Sequence, residues 1–286
     1  MRPIDTATQL CAVIGNPVEH SLSPAMHNAA FASLNLNYVY LAFRVEDLAG
    51  CMAGMRAMPS FRGMSVTIPH KIAIMQYLDD IEPMAHRVGC VNTVTRENDR
   101  LTGSITDGVG ALRAFEQAGI SLDGRRILFV GAGGAVRAVA FVVAELARVD
   151  RLTILGRTAA RVAALVNDLR ARTQASVMSG DLAADLSKAM TSHDVIIQGT
   201  PIGMFPHDEV SPIPSEFLRP EHIVFDMVYR PLKTRLVRAA EDRGCKVILG
   251  LEMLVHQATL QFERWTGVPA PLDVMRAALI QRLQQE

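Results

Sequence analysis

The chain has 286 residues, enough for two domains or one large one, and its 29 basic and 29 acidic side chains give a formal net charge of zero. That balance argues against a nucleic-acid or anionic-membrane partner and suits a small neutral or weakly anionic ligand. The four cysteines, Cys11, Cys51, Cys90 and Cys245, form no C-x-x-C pair, and the longest apolar stretch, near residues 138–144, is far short of a membrane span. With no signal-peptide apolar core in residues 1–6, a soluble protein of the reducing cytoplasm is expected, without a zinc site or disulfide framework.

The first predicted element is a short buried strand over 11–14, followed by Gly15-Asn16-Pro17 and His20-Ser21-Leu22-Ser23-Pro24. The regularly apolar stretch 25–34 predicts a helix with Pro24 at its first position, so Ser21 and Ser23 fall at a strand-to-helix turn. Unpaired N–H groups and a partial positive charge at such a turn favour an anion such as a carboxylate. Capping of the helix by Ser23 is the ordinary alternative. Strand-like runs at 38–41 and 64–66 among helical patterns predict a first α/β domain.

Next come Gly63-Met64-Ser65-Val66-Thr67-Ile68-Pro69-His70-Lys71, then Gly89-Cys90-Val91-Asn92-Thr93 and Thr106-Asp107-Gly108-Val109-Gly110. Pro69 suits the first position of a helix, which places Lys71 in its first turn, where the helix field disfavours a cation and lowers its pKa toward the range useful for proton transfer. Asp107, in Thr106-Asp107-Gly108 before an apolar helical run, also fits a simple N-cap.

From residue 126 onward the alternation is regular: strands over 127–130, 152–155, 176–178, 195–197, 223–225 and 247–249, with helices over 135–148 and 161–170. Such alternation implies right-handed crossovers and a parallel sheet covered on both faces. Gly131-Ala132-Gly133-Gly134-Ala135-Val136-Arg137 follows the first of these strands and opens a helix, the context of a dinucleotide-binding turn, although Val136 breaks the strict G-x-G-x-x-G spacing. After the second strand the chain reads Leu155-Gly156-Arg157-Thr158-Ala159-Ala160-Arg161. With no acid to bind a ribose 2′-hydroxyl, and with Arg157, Thr158 and Arg161 suited to a 2′-phosphate, NADP is expected rather than NAD. The stretch 251–285 is helical and has no strand of its own.

These motifs, with Gly250-Leu251-Glu252-Met253-Leu254-Val255-His256-Gln257-Ala258, occur in the order and spacing of the shikimate dehydrogenase family, and the chain resembles that family from about residue 11 to 267. The resemblance implies an α/β fold of two domains with a cleft between them. Residues 1–106 plus 250–286 would form the substrate-binding domain, and 107–249 a Rossmann-type, doubly wound parallel-sheet domain for NADP. It implies a cytoplasmic NADP-dependent oxidoreductase of aromatic amino acid biosynthesis, in the chorismate pathway, acting as a monomer or homodimer on a small cyclic hydroxy acid. Lys71 and Asp107 would be the catalytic pair, the lysine handling the proton of the reacting hydroxyl. Ser21 and Ser23 would hold the substrate carboxylate, and Thr67, Asn92, Asp107, Tyr229 and Gln257 its hydroxyls. Gly131, Ala132, Gly133, Gly134, Ala135, Arg157, Thr158 and Arg161 would bind the cofactor, with Met227 and Gly250 on the nicotinamide side.

Two positions depart from the family pattern. Ser65 stands for the usual Asn of G-x-N-V-T-x-P-x-K, and Ile105 for the Asn of N-T-D-G. Beside Lys71 and Asp107, both changes would alter substrate choice, since a pocket built to hydrogen-bond a hydroxyl discriminates strongly. Shikimate, quinate, an aminated shikimate or another cyclic hydroxy acid therefore remain as substrates. A non-catalytic sensor of NADP(H) and a ring acid, or an enzyme acting on another skeleton such as a folate, are the rival functions; Lys71, Asp107 and the paired serines favour the ring-acid enzyme. No metal is expected, because no H-E-x-x-H occurs and His20 and His27 have no clustered carboxylates.

Overall fold

The computed structural model describes residues 3–285, in two units. The first runs to Thr106 and resumes at Val255; the second is Asp107–Leu254.

The first unit opens with β1 (Gln9–Gly15), α1 (Ser23–Ser33), β2 (Tyr38–Arg44), α2 (Leu48–Ala57) and β3 (Phe61–Val66). β4 (Asp80–Ile81), α3 (Pro83–Val88), β5 (Thr93–Glu97) and β6 (Arg100–Ser104) follow. Its sheet has the order β2-β1-β3-β5-β6-β4 and is mixed: β1 pairs in parallel with β2 and β3, whereas β5 runs antiparallel to both β3 and β6. The β5–β6 hairpin closes through Asn98 and Asp99, both with positive φ (47° and 64°), the conformation a two-residue turn needs to match strand twist.

The second unit comprises α4 (Asp107–Gln117), β7 (Arg126–Val130), α5 (Gly134–Leu146), β8 (Arg151–Gly156), α6 (Ala159–Arg172) and β9 (Val177–Asp181). It continues with α7 (Leu182–Ser192), β10 (Val195–Gln198), β11 (Ile223–Asp226), α8 (Arg235–Asp242) and β12 (Lys246–Leu249). Every pairing in its sheet is parallel, in the order β12-β11-β10-β7-β8-β9. This is the 3-2-1-4-5-6 arrangement of a doubly wound fold, with its switch point between β7 and β10. Ile127, Leu128, Phe129 and Val130 are all fully buried, as a central strand covered on both faces requires. Phe115 of α4 meets Phe225 of β11 edge-on at 5.5 Å.

At the other end of these strands, Arg126 donates to the Asp194 carboxylate from its backbone and guanidinium (2.6–3.0 Å). These bonds hold the Asp194 carboxyl down at about 2. The chain then turns into α9 (Gly250–Thr266) and α10 (Leu272–Gln284), and α10 packs on α1.

Candidate active site

The strand-to-helix turn after β1 differs in detail from its sequence expectation. α1 is capped at Leu22 without a side-chain bond, so Ser23 is the first residue of the helix rather than its cap. Ser23 is buried, and its backbone N–H donates to the Ser21 hydroxyl at 3.4 Å.

Lys71 differs more. Residues 68–72 form turns, and only a five-residue 3-10 helix, Ala73–Tyr77, follows. The helix field expected to act on the lysine is therefore missing. Lys71 is instead half-buried in a loop pinned at several backbone points. Thr67 N–H donates to Ile14 (2.9 Å), Asn16 N–H to Ile68 (2.9 Å) and Val91 N–H to the Lys71 carbonyl (2.8 Å).

The loops of this unit converge on one buried chain of hydrogen bonds. Tyr40 donates its phenol O–H to the Ser65 hydroxyl (2.7 Å), and Ser65 donates to Gln261 Oε1 (2.8 Å). Gln261 Nε2 donates to Thr93 Oγ1 (2.9 Å), which donates to Asn92 Oδ1 (2.8 Å). Asn92 Oδ1 also accepts the Thr106 N–H (2.8 Å), Asn92 Nδ2 donates to Thr106 Oγ1 (3.0 Å), and that hydroxyl reaches Gln257 Oε1 at 3.4 Å. Burial pushes the Tyr40 phenol up, against the bond it donates to Ser65, so it stays a neutral donor. Asn92 and Gln257 thus belong to one connected framework, and Thr67 and Lys71 are held beside it through their backbones. Asp107, buried, opens α4 directly after Thr106, and a carboxylate in a first helical turn is favourably placed.

Sequence reasoning named Asn92 and Gln257 but missed Tyr40, Thr93, Thr106 and Gln261. Gln261 lies one helical turn beyond Gln257, the only local signal that it shares a face. Ser65, expected beside Lys71, spends its hydroxyl on Tyr40 of β2 and Gln261 of α9, and Ile105 is buried.

His27 stacks on Tyr40 at 4.4 Å, with Trp265 and Phe262 around it. Burial lowers its pKa to about 3, so it is neutral at pH 7.

In the second unit, Gly131 has φ of +116°, a conformation that favours glycine, at the tip of β7. α5 begins at Gly134 with Gly133 as a cap lacking any side-chain bond, and side chains built at either glycine would meet open space. Gly131, Ala132 and Gly133 line one groove with Arg157, Thr158 and Arg161, all three of the latter exposed. Gly134 and Ala135 are exposed at the start of α5. An open helix N-terminus facing two arginines suits a phosphorylated ligand.

Met227 and Tyr229, both half-buried, follow β11. Gly250 packs against that segment so closely that a Cβ would lie 2.6 Å from the Val228 carbonyl oxygen. Asp226 is buried at the end of β11; burial raises its carboxyl to about 6, against hydrogen bonds from Thr234 and the Val228 N–H. Among the described residues no group of three His, Cys, Asp or Glu side chains could hold a metal ion, and no helix is long and apolar enough to cross a membrane.

A glycine turn at the first strand of a 3-2-1-4-5-6 sheet, with arginines after the second, defines a dinucleotide-binding protein of the Rossmann class. The description "Shikimate dehydrogenase substrate binding domain" matches residues 13–94, "Shikimate / quinate 5-dehydrogenase" matches 112–211, and "Shikimate 5'-dehydrogenase C-terminal domain" matches 250–280. The "Shikimate dehydrogenase (NADP(+))" of Moorella thermoacetica is 44% identical over 98% of this chain and 95% of its own length. Two crystal structures superpose closely. A shikimate dehydrogenase in complex with NADP+ has a TM-score of 0.91 at 40% identity, covering 98% of both chains. The Listeria monocytogenes shikimate 5-dehydrogenase in complex with shikimate and NAD has a TM-score of 0.92 at 39% identity, covering 98% of this chain and 99% of its own. The chain belongs to the shikimate dehydrogenase family.

The buried, uncharged state of His27 has a measurable consequence. Its folded pKa lies below the ordinary histidine value, so between the two the unfolded chain binds more protons, and stability is lost as pH falls through that window. In urea melts, His27→Phe is expected to lose roughly 1–2 kcal/mol less than the native protein between pH 7 and pH 5. Equal losses would contradict the assignment.

Proposed function

We propose that this protein is an NADP-dependent oxidoreductase that interconverts shikimate and 3-dehydroshikimate, on the route to chorismate and the aromatic amino acids. The observation that carries the reading is family membership over nearly the whole chain, together with two arginines and no acid after β8. In the oxidative direction a C–H and an O–H bond of the substrate break: hydride leaves with its electron pair, and the hydroxyl proton leaves separately. NADP+, when bound, supplies the hydride acceptor.

The open N–H groups at the start of α5 and the glycine turn fit a pyrophosphate, and Arg157, Thr158 and Arg161 fit a 2′-phosphate, which NAD lacks. Ser21 and Ser23 take the substrate carboxylate. Thr67, Asn92, Tyr229 and Gln257 take the hydroxyls, and the Asn92 and Gln257 amides are already oriented by the buried chain. Lys71 takes the proton from the reacting hydroxyl and returns it in the reverse direction. Asp107 accepts a hydrogen bond from the substrate and completes the catalytic pair. Met227 and Gly250 flank the nicotinamide. The first unit is the substrate-binding domain and the second the NADP domain. The protein works in the cytoplasm, which suits four cysteines outside any disulfide, and as a monomer or homodimer with no nucleic-acid or membrane partner.

The test is the initial rate of NADPH formation from NADP+ and shikimate, with quinate and NAD+ in parallel. Fast turnover on shikimate is expected, and its absence overturns the reading. In the same assay Lys71→Ala should lower turnover by roughly 10²–10⁴ while leaving NADP+ affinity intact, the usual effect of removing a positioned acid or base. Unchanged turnover would remove Lys71 from the mechanism. Arg157→Ala should weaken NADP+ by roughly tenfold or more and NAD+ little, because a charge-assisted bond to the 2′-phosphate is lost. Equal weakening of both would contradict that role.

A further inference from the structure

The loop 227–234 between β11 and α8 carries Met227 and Tyr229 and is closed by a single side chain. Asp226, 1% exposed at the last position of β11, accepts at both ends of it. Its Oδ1 takes the Val228 N–H (3.0 Å) at the start of the loop, and its Oδ2 takes the Thr234 hydroxyl (2.6 Å) at the end. Thr234 accepts in turn from the Val237 N–H (3.2 Å) and so caps α8.

The adjacent strand ends the same way. Gln198, paired with Asp226 in the sheet and fully buried, accepts the Thr200 N–H (2.6 Å) and donates to the Thr200 and Ile202 carbonyls (3.0 and 3.2 Å). The two loops are then joined. Met227 N–H donates to the Gln198 carbonyl (2.8 Å), Phe205 N–H donates to the Arg230 carbonyl (3.0 Å), and the Arg230 guanidinium lies 4.9 Å from the Phe205 ring centroid. A buried carboxylate with two donors, one at each end of a loop, fixes the span of that loop. An amide in its place offers one acceptor oxygen to the two donors.

We propose that Asp226 is a positioning residue for the reaction: with Thr234 it sets the path of the loop that presents Met227 to the nicotinamide and Tyr229 to the ring acid. The inference rests on the proposed function and predicts a particular split in kinetics. Asp226→Asn and Thr234→Val should each raise KM for shikimate at least fivefold and lower kcat. The dissociation constant for NADP+, held chiefly at Arg157 and Arg161, should stay within twofold. Thr234→Ser, which keeps the hydroxyl, should retain most of the native kcat/KM. Thermal melts of each variant identify the folded fraction.

If Asp226→Asn and Thr234→Val lower the melting temperature but leave KM and kcat of the folded protein unchanged, the role is structural only and the inference fails. It fails equally if NADP+ affinity falls in step with KM. A native protein without turnover on shikimate and NADP+ would overturn the proposed function, and this inference with it. Native turnover with unaffected variants would overturn the inference alone.

Discussion

The first unit depends on one constraint: the hydroxyls and amides that run from Tyr40 through Ser65, Gln261, Thr93, Asn92 and Thr106 to Gln257 are buried, and each must find a partner there. A single such bond adds only about 1 kcal/mol net, but a buried donor or acceptor left unsatisfied costs about 1–3 kcal/mol. The alternatives to the native arrangement are therefore penalised at every link. The chain crosses β2, β3, β5 and α9, so it fixes those elements relative to one another. It also fixes which way the Asn92 and Gln257 amides point. A site that distinguishes a hydroxyl from its absence needs that orientation set before the ligand arrives.

The second unit solves a different problem, that of holding loops at the carboxyl ends of parallel strands, where ligands bind in open α/β sheets. Gln198 and Asp226 occupy the last positions of neighbouring strands, and both turn their side chains back on the loops that follow. The glycine turn after β7 is left open instead, with Gly133 and Gly134 unobstructed. Braced loops beside an open helix N-terminus suit a ligand held against a fixed edge.

The parallel sheet from β7 to β12 was legible because buried parallel strands read as short continuous apolar runs between helical patterns, and the glycine turn and Arg157 sit where that alternation puts them. Helix ends moved by a residue or two, as at α5 and α6. The environment of Lys71 was not legible. Pro69 suits a helix start, but the chain is held by Ile14, Val91 and their neighbours, long-range bonds that no local window contains. The β5–β6 hairpin did leave a signal, Glu97-Asn98-Asp99-Arg100, in which Asn and Asp adopt the positive φ of a tight turn. Ser65 marks the limit: its departure from the family pattern is visible in sequence. That its hydroxyl joins Tyr40 to Gln261 depends on partners 25 and 196 residues away.

The claim that matters most is that this buried chain orients the groups proposed to bind the ring acid, and Gln261 is the link that tests it without touching those contacts. Calorimetric titration of shikimate into the native protein and into Gln261→Met is the direct measurement, with NADP+ titrated into both as the control for folding. The account predicts shikimate affinity at least tenfold weaker in the variant, with NADP+ affinity preserved. A folded Gln261→Met protein that binds shikimate as tightly as the native one would contradict it.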